Sequence, residues 1–373
     1  MTKLAAIIPA AGLSSRMESF KPLLPLGKGT VLSQCLELFS SNDVEQIVVT
    51  GRRGKEVGTA ASRAGAEIVH NVDYEQGMFS SILAGMRALA SDVTAFFVLP
   101  VDIPLVRHVT VARLIEEYER HSPLILYPRF GQERGHPPLV SRELLPEIMA
   151  HDGIGGLRTV LERFESGARD LDVADFGTVH DLDYPADYDL ARSLANTEYP
   201  SEKECQQLWS MYSVPLNIVG HCRAVSCVGE GLCEKLNSRN GTKLLNLDLV
   251  RGGALTHDIG KGTKRHEIVG AERLHVHGFH VAADIVLDHS DLILQPHEPI
   301  SEKEVVFLAD KLVRGESSVL LEERYGEKLE LYGHEEDVKQ AILGRLGRAK
   351  HILDRFDREM GISAERLAQE VLG

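Results

Sequence analysis

Two periodicities alternate along the first half of the chain. Short apolar runs at residues 4–10, 46–51, 67–70, 94–101 and 124–127 read as buried strands. Between them, residues 31–39, 55–64, 80–90 and 109–120 carry the spacing of helices with one apolar face. This rhythm predicts an α/β domain with a mostly parallel sheet, helices on both faces and ligand-binding loops at the carboxyl ends of the strands. It stops near residues 195–201, where a polar, Pro-containing stretch ends in Ser201. Glu204 follows three positions later, the spacing of a capping box that opens a helix. From there helical periodicity dominates, without internal repeats or low-complexity tracts, and predicts an all-α second domain. The expected domains are therefore 1–195 and 202–373. The last segment reads as a helical tail whose stripe Val338, Ile342, Leu346 and Ile352 packs on a core.

Composition changes this picture only slightly. The chain of 373 residues is 43% hydrophobic and 26% charged, the profile of a globular protein large enough for two cores. The net charge of −14 argues against a broad nucleic-acid-binding surface. Five cysteines at irregular spacing, with no C-x-x-C pair, indicate reduced thiols, with neither a zinc ribbon nor a disulfide framework. Cys222, Cys227 and Cys233 are expected as helical core positions. No apolar run approaches the ~20 residues of a spanning helix. The expectation is a cytoplasmic protein with neither a membrane nor a nucleic-acid partner and with its oligomeric state open.

The chemistry of the first half gathers where strands end. The first strand breaks into Ala10, Ala11 and Gly12, followed by Ser14, Ser15, Arg16 and Lys21. Small residues let a backbone approach phosphate closely, and the two cations supply charge. The third strand leads through Asn71 to Gly77 and Ser81 at a helix start, a place suited to an anion or a nucleobase edge. The fourth ends in Asp102 between Pro100 and Pro104, a stiff carboxylate suited to holding Mg²⁺ against a triphosphate. Arg134 precedes a Gly135-His136-Pro137 loop, and the domain closes on Asp181, Asp183 and Asp187. Asp187 is expected to cap the last helix of this half.

These strings together resemble MobA/MocA-like nucleotidyltransferases over about the first 194 residues. The Ala-Ala-Gly form of the loop resembles the cytidylyl branch, the guanylyl branch usually having Ala-Gly-Gly. Val101 stands where the family usually has Gly, and Tyr184 and Ala186 replace Thr and Glu in the closing motif. The resemblance implies a Rossmann-like, GT-A-type fold. It implies nucleotide binding by Ala10, Ala11, Gly12, Lys21, Asn71, Gly77, Ser81 and Asp102. Arg16 and Lys21 would hold the phosphates, and Mg²⁺ would sit on Asp102 and Asp183. His136 and Arg134 would line the acceptor pocket. It further implies CTP as donor, the molybdopterin cofactor as acceptor and molybdoenzyme maturation partners.

In the second half, His257 and Asp258 are adjacent, and His221, His266, His289 and Asp310 lie on predicted helical segments around them. Imidazole and carboxylate together suit Fe, Mn, Co or Zn. In this order the residues resemble the HD-domain phosphohydrolases. The resemblance implies a metal at His221, His257, Asp258 and Asp310, a second metal using His266 and His289, and a metal-activated water attacking a phosphoester or phosphoanhydride, with Asp258 central to the reaction. Lys261 or Arg265 would contact the substrate phosphate. His275, His277 and His280 are expected in surface or packing roles. A different reading stays open: a sugar- or alcohol-phosphate nucleotidyltransferase whose second half senses metal and nucleotide without turnover.

Overall fold

The computed structural model describes residues 3–12, 17, 19–239, 245–295 and 297–373, and the contacts divide the chain into two compact units, Met1–Asn196 and Thr197–Gly373. Among the described residues, the first unit holds an eight-stranded mixed sheet and a short separate hairpin, Pro25–Leu26 with Gly29–Thr30. The strands of the sheet are β1 (Leu4–Ala10), β2 (Glu45–Thr50), β3 (Glu67–His70), β4 (Ala95–Val98), β5 (Ile125–Phe130), β6 (Glu133–Arg134), β7 (Leu139–Ser141) and β8 (Ala168–Asp172). They lie in the order β8-β5-β7-β4-β1-β2-β3, with β6 beside β5. The β3, β2, β1 and β4 strands run parallel, as do β5 and β8, whereas β7 runs antiparallel between β4 and β5.

Strand β1 is buried along its whole length because the sheet is covered on both sides. Leu4, Ala6, Ile8 and Ala10 join one core and Ala5 and Ile7 the other. The covering helices are α1 (Val31–Ser40), α2 (Gly54–Arg63), α3 (Met78–Ala88), α4 (His108–His121), α5 (Leu145–Met149), α6 (Gly156–Glu162) and α7 (Pro185–Leu194). Helix α3 lies directly on the sheet, since a Cβ added at Gly85 would come within 2.5 Å of Ile7. The fourth strand is shorter than its apolar run. Pro100 has no N–H to donate, yet Leu99 and Val101 still donate to Ile7 and Pro9 of β1 at 3.0 and 3.2 Å. That continuation carries Asp102 to the carboxyl edge of the sheet.

Among its described residues the second unit is helical apart from loops and a short hairpin, Val313–Arg314 with Ser317–Ser318. Its helices are α8 (Glu202–Met211), α9 (Leu216–Asn237), α10 (Leu247–Thr256), α11 (His266–Val276), α12 (His280–Asp288), α13 (Glu302–Lys311), α14 (Leu321–Tyr332), α15 (Glu336–Met360) and α16 (Ala364–Leu372). The Ser201 capping box forms, Ser201 N–H donating to Glu204 at 2.8 Å and Glu204 N–H to Ser201 Oγ at 3.4 Å. Ser301 and Glu304 repeat it at α13. Helix α9 packs against α10, α13 and α16, which makes it the spine of this unit. On α15, Ile342 and Ile352 are buried with Ala349 and Phe356, while Val338 is exposed. Cys222 and Cys233 are core residues; Cys227 is exposed, on the outward side of α9, and corrects the expectation for that thiol.

Candidate functional site

In the first unit, the end of β1, the turn after β4 and the loop before α7 converge. Lys21 opens a 3₁₀ turn and is buried, with its Nζ 3.2 Å from Asp183 Oδ1 and 3.7 Å from Asp102 Oδ2. Leu182 N–H donates to the Asp102 carbonyl at 2.9 Å, which fastens the two acidic loops together. Burial pushes the Asp102 carboxyl up, the Lys21 charge opposes this, and the neighbouring carboxylates of Asp181 and Asp183 add to the rise. Two oxygen donors crowded around one ammonium fit a hard divalent cation such as Mg²⁺, whose charge relieves that crowding. Asp187 accepts from the N–H groups of Asp183 and Tyr184 at 3.1 and 2.7 Å, so its side chain closes the start of α7.

The other residues singled out from the sequence are placed less uniformly. Ala10 and Ala11 are buried at the end of β1, and Gly12 is exposed beyond them. Arg16 lies outside the described residues. Gly77 precedes α3 with φ of 101°, a conformation that suits glycine. Asn71 and Ser81 are buried and bonded to each other: Asn71 Nδ2 donates to Ser80 and Ser81 at 2.8 and 3.0 Å, and its Oδ1 accepts from Asp73 N–H. Their side chains hold the turn against α3. His136 is half-buried; its backbone N–H donates to the Thr178 carbonyl, and burial lowers the pKa of its imidazole. Arg134 requires a correction. Its guanidinium bonds Glu165 at 2.7 and 2.8 Å and Asp170 at 2.6 Å and lies over the Tyr127 ring. With its fork filled by carboxylates, it is set aside as a ligand for an acceptor phosphate.

The second unit builds a denser constellation. His221 projects from α9, His257 and Asp258 follow α10, His266 begins α11, His289 follows α12, and Asp310 lies near the end of α13. Two triads form, His221–His257–Asp310 and Asp258–His266–His289, the ligand atoms of each lying within 4.8 Å of one another. Asp258 spans them. Its Oδ2 is 3.7 Å from His257 Nε2, and its Oδ1 is 3.5 Å from Nε2 of both His266 and His289. The adjacent His and Asp therefore serve different triads, with Asp258 between the two.

Orientation of the imidazoles explains how this set suits metal. The Nδ1 atoms of His221, His257 and His289 lie 2.9, 2.7 and 2.5 Å from the carbonyls of Gly315, Ala254 and Val286. Donation there fixes the tautomer and turns each Nε2 lone pair inward. His257 is fully buried and its Nε2 has no hydrogen-bond partner among the described residues. His266 and His289 hold their Nε2 atoms 3.2 Å apart. Burial lowers the His257 pKa to about 4 and also lowers that of His266, which keeps both as ligands. Burial opposes ionisation of Asp310, but Lys311 and Arg324 hold its carboxyl well below the ordinary range. An orphaned inward nitrogen and facing lone pairs fit bound cations of the transition series.

Both halves match known families. Residues 6–169 match the MobA-like NTP transferase domain, and residues 218–315 match the HD domain. The chain joins these two kinds of domain. Along 193 residues it is 29% identical to the molybdenum cofactor cytidylyltransferase of Escherichia coli K12, covering 52% of this chain and 97% of that protein. It is 31% identical over 109 residues to the molybdenum cofactor guanylyltransferase of Xanthomonas euvesicatoria, covering 29% of this chain and 52% of that protein. A solved nucleotidyl transferase from Methanothermobacter is 25% identical, with a TM-score of 0.46, over 52% of this chain and 97% of that one. Both families generally bind divalent metals.

The HD domain also holds residues that sequence reasoning missed. A cavity of about 780 Å³ lies over the triads; besides Lys261 and Arg265, which the sequence pointed to, Lys311, Arg314, Arg324, Lys328 and Arg345 bring cations to its walls. Lys261 Nζ is 3.0 Å from Asp258, and buried Lys311 bonds Asp310 at 2.6 Å and the His289 carbonyl at 2.9 Å. Arg324 donates to the carbonyls of Asp310 and Val313. The one sequence signal for Lys311 is that it directly follows Asp310. His275 and His280 are exposed and pair through their Nδ1 atoms at 2.9 Å, and His277 is buried against Tyr212, as their sequence context suggests. Among the described residues no helix is long and apolar enough to cross a membrane.

Proposed function

We propose that the chain is a bifunctional enzyme: a Mg²⁺-dependent nucleotidyltransferase joined to a metal-dependent phosphohydrolase. For the first half the donor is CTP and the acceptor the molybdopterin cofactor. The observation that carries this is the meeting of Lys21, Asp102 and Asp183 at the carboxyl edge of the sheet, within a domain aligned with almost the whole of a cytidylyltransferase. Asp102 and Asp183 would hold Mg²⁺, which spreads charge developing on the transferred phosphoryl group. Lys21 neutralises the triphosphate, and backbone N–H groups around Ala10, Ala11 and Gly12 cradle it. An acceptor phosphate oxygen forms a bond to the α-phosphorus, the bond to the bridging oxygen breaks, and diphosphate leaves; no protein nucleophile is needed. His136 lines the acceptor side, and Asn71, Gly77 and Ser81 shape the loop facing the nucleotide. In the HD domain the two triads would hold divalent metals that activate water. Asp258 joins the triads there, and Lys261 neutralises the substrate phosphate.

The test is a donor screen with Mg²⁺, molybdopterin cofactor and each NTP, following diphosphate release. Release with CTP alone, abolished in Asp102→Ala, is the expected result. Release with GTP alone would reverse the donor assignment. No release with any NTP would remove molybdopterin as acceptor.

A further inference from the structure

The cations over the HD triads outnumber what one phosphate requires. Beyond Lys261 and Lys311, which touch the carboxylates of Asp258 and Asp310, Lys328 and Arg345 form a second group on α14 and α15, next to Arg324, which reaches the Asp310 carboxylate at 3.5 Å and donates to the carbonyls of Asp310 and Val313. Lys328 has no ion pair among the described residues; its ammonium lies 5.2 Å from the Tyr325 ring centroid. Arg345 is 3.6 Å from Asp291, whose short bond of 2.6 Å goes instead to Arg348. Tyr325 lines the same cavity, and its buried hydroxyl has no hydrogen-bond partner among the described residues. Burial and the charges of Arg324, Lys311 and Arg345 lower the Lys328 pKa to about 8, a cost that an anion bound there would offset. The group is thus a second anion position beside the triads.

The same walls offer little to a nucleobase. Among the described residues lining the cavity, Tyr325 is the sole aromatic side chain besides the ligand histidines, and its ring already carries the Lys328 ammonium. Bases are ordinarily held by stacking on such rings. A small polyanion fits better than a nucleoside.

We propose that the HD domain hydrolyses inorganic diphosphate, the leaving group of the transfer reaction assigned to the first domain. This rests on the reading of both domains as enzymes. One phosphoryl group lies at the triads and the other against Lys328 and Arg345. Water forms one new P–O bond and the bridging P–O bond breaks. Two orthophosphates result, with the proton of water passing to phosphate or solvent. Nucleotidyl transfer exchanges one phosphoanhydride for another, so destroying diphosphate draws it forward.

The experiment uses the full chain with Mn²⁺ and follows phosphate release from diphosphate, p-nitrophenyl phosphate and a dinucleoside polyphosphate. Diphosphate is hydrolysed, and Asp258→Ala abolishes that, which excludes a contaminating enzyme. In Lys328→Met, kcat/KM for diphosphate relative to p-nitrophenyl phosphate falls about tenfold, or ~1.4 kcal/mol. Lys328→Arg restores the ratio. Cleavage of either other ester with diphosphate untouched overturns the inference and leaves the hydrolase reading standing. Cleavage of none overturns both. Equal loss on both substrates in Lys328→Met, in a variant that still folds, refutes the second anion position.

Discussion

Metal should raise the stability of the HD domain, and the chain carries its own reporter of that event. Its single tryptophan, Trp209, lies in the second unit, donates to the Leu255 carbonyl at 3.0 Å and packs against Cys222 beside His221. Its fluorescence therefore follows unfolding of this unit, two residues from His257. A site saturated about a thousandfold above its Kd contributes ~4 kcal/mol through binding to the native state alone. For a unit of this size each kcal/mol moves the midpoint by ~2–4 °C, so one occupied triad gives ~8–16 °C. Two triads give up to twice that. The assay is a thermal melt of chelator-treated full-length protein, with and without Mn²⁺, Fe²⁺, Co²⁺ or Zn²⁺. His257→Gln removes one ligand of the His221 triad and should cut the shift to about half, whereas a His257→Gln, His266→Gln double variant should nearly lose it. A midpoint unmoved by all four ions, or a full shift in the double variant, would refute the argument from the inward Nε2 atoms.

Asp102→Asn should abolish nucleotidyl transfer yet raise the midpoint of the metal-free first domain, followed by circular dichroism. Because burial lifts the Asp102 pKa in the folded state, stability is full below the unfolded value of about 3.9 and declines as pH rises through the folded one. The advantage of the variant should therefore vanish in acid; a lower midpoint at neutral pH would contradict the assigned cause. Lys21→Met should lower kcat/KM for the NTP ~10²-fold while leaving hydrolysis by the HD domain intact, measured on the same preparation. Asn71→Ala leaves Ser80, Ser81 and the Asp73 N–H without their partner and should cost ~1–3 kcal/mol in urea unfolding of the first domain. Its KM for NTP should rise more than its kcat falls.

What the sequence made legible follows from how locally each feature is encoded. Strand β1 occupies residues 4–10 as expected, because a strand buried on both faces is a continuous apolar run. Strands β7 and β8 escaped notice. Three residues after a Pro-Pro pair carry too little alternation to read, and Ala-Arg-Asp-Leu-Asp resembles a polar loop until it pairs with β5. The six HD-domain residues were found by type and order, though 89 positions separate His221 from Asp310. The sequence did not show Asp258 spanning two triads, since that depends on where α11 begins and α12 ends in space. Arg324, Lys328 and Arg345 were also hidden, because cations on a helix surface look alike whether they face solvent or a cavity. Arg134 misled for the converse reason: its partners Glu165 and Asp170 are distant in sequence and meet it only through the β5–β8 edge.

On the proposed reading, the two metal sites differ in how much of the coordination the chain itself provides. The transferase site brings two carboxylates and balances them with Lys21, which sits where it touches both. Two oxygens are few for Mg²⁺, which completes its shell with water and substrate phosphates, so the ion and the triphosphate belong together in this site. The HD site brings six side chains on five helical elements, with three of its imidazoles already turned by backbone carbonyls and one buried nitrogen that makes no hydrogen bond among the described residues. Such a set has met most of its ordering cost during folding, and an ion entering it replaces lone-pair repulsion with coordination. A cation is thus a travelling companion of the substrate in the first domain and a resident of the second. The chemistry of the ligands matches this division, oxygen alone for an exchanging hard ion and imidazole with carboxylate for a retained one.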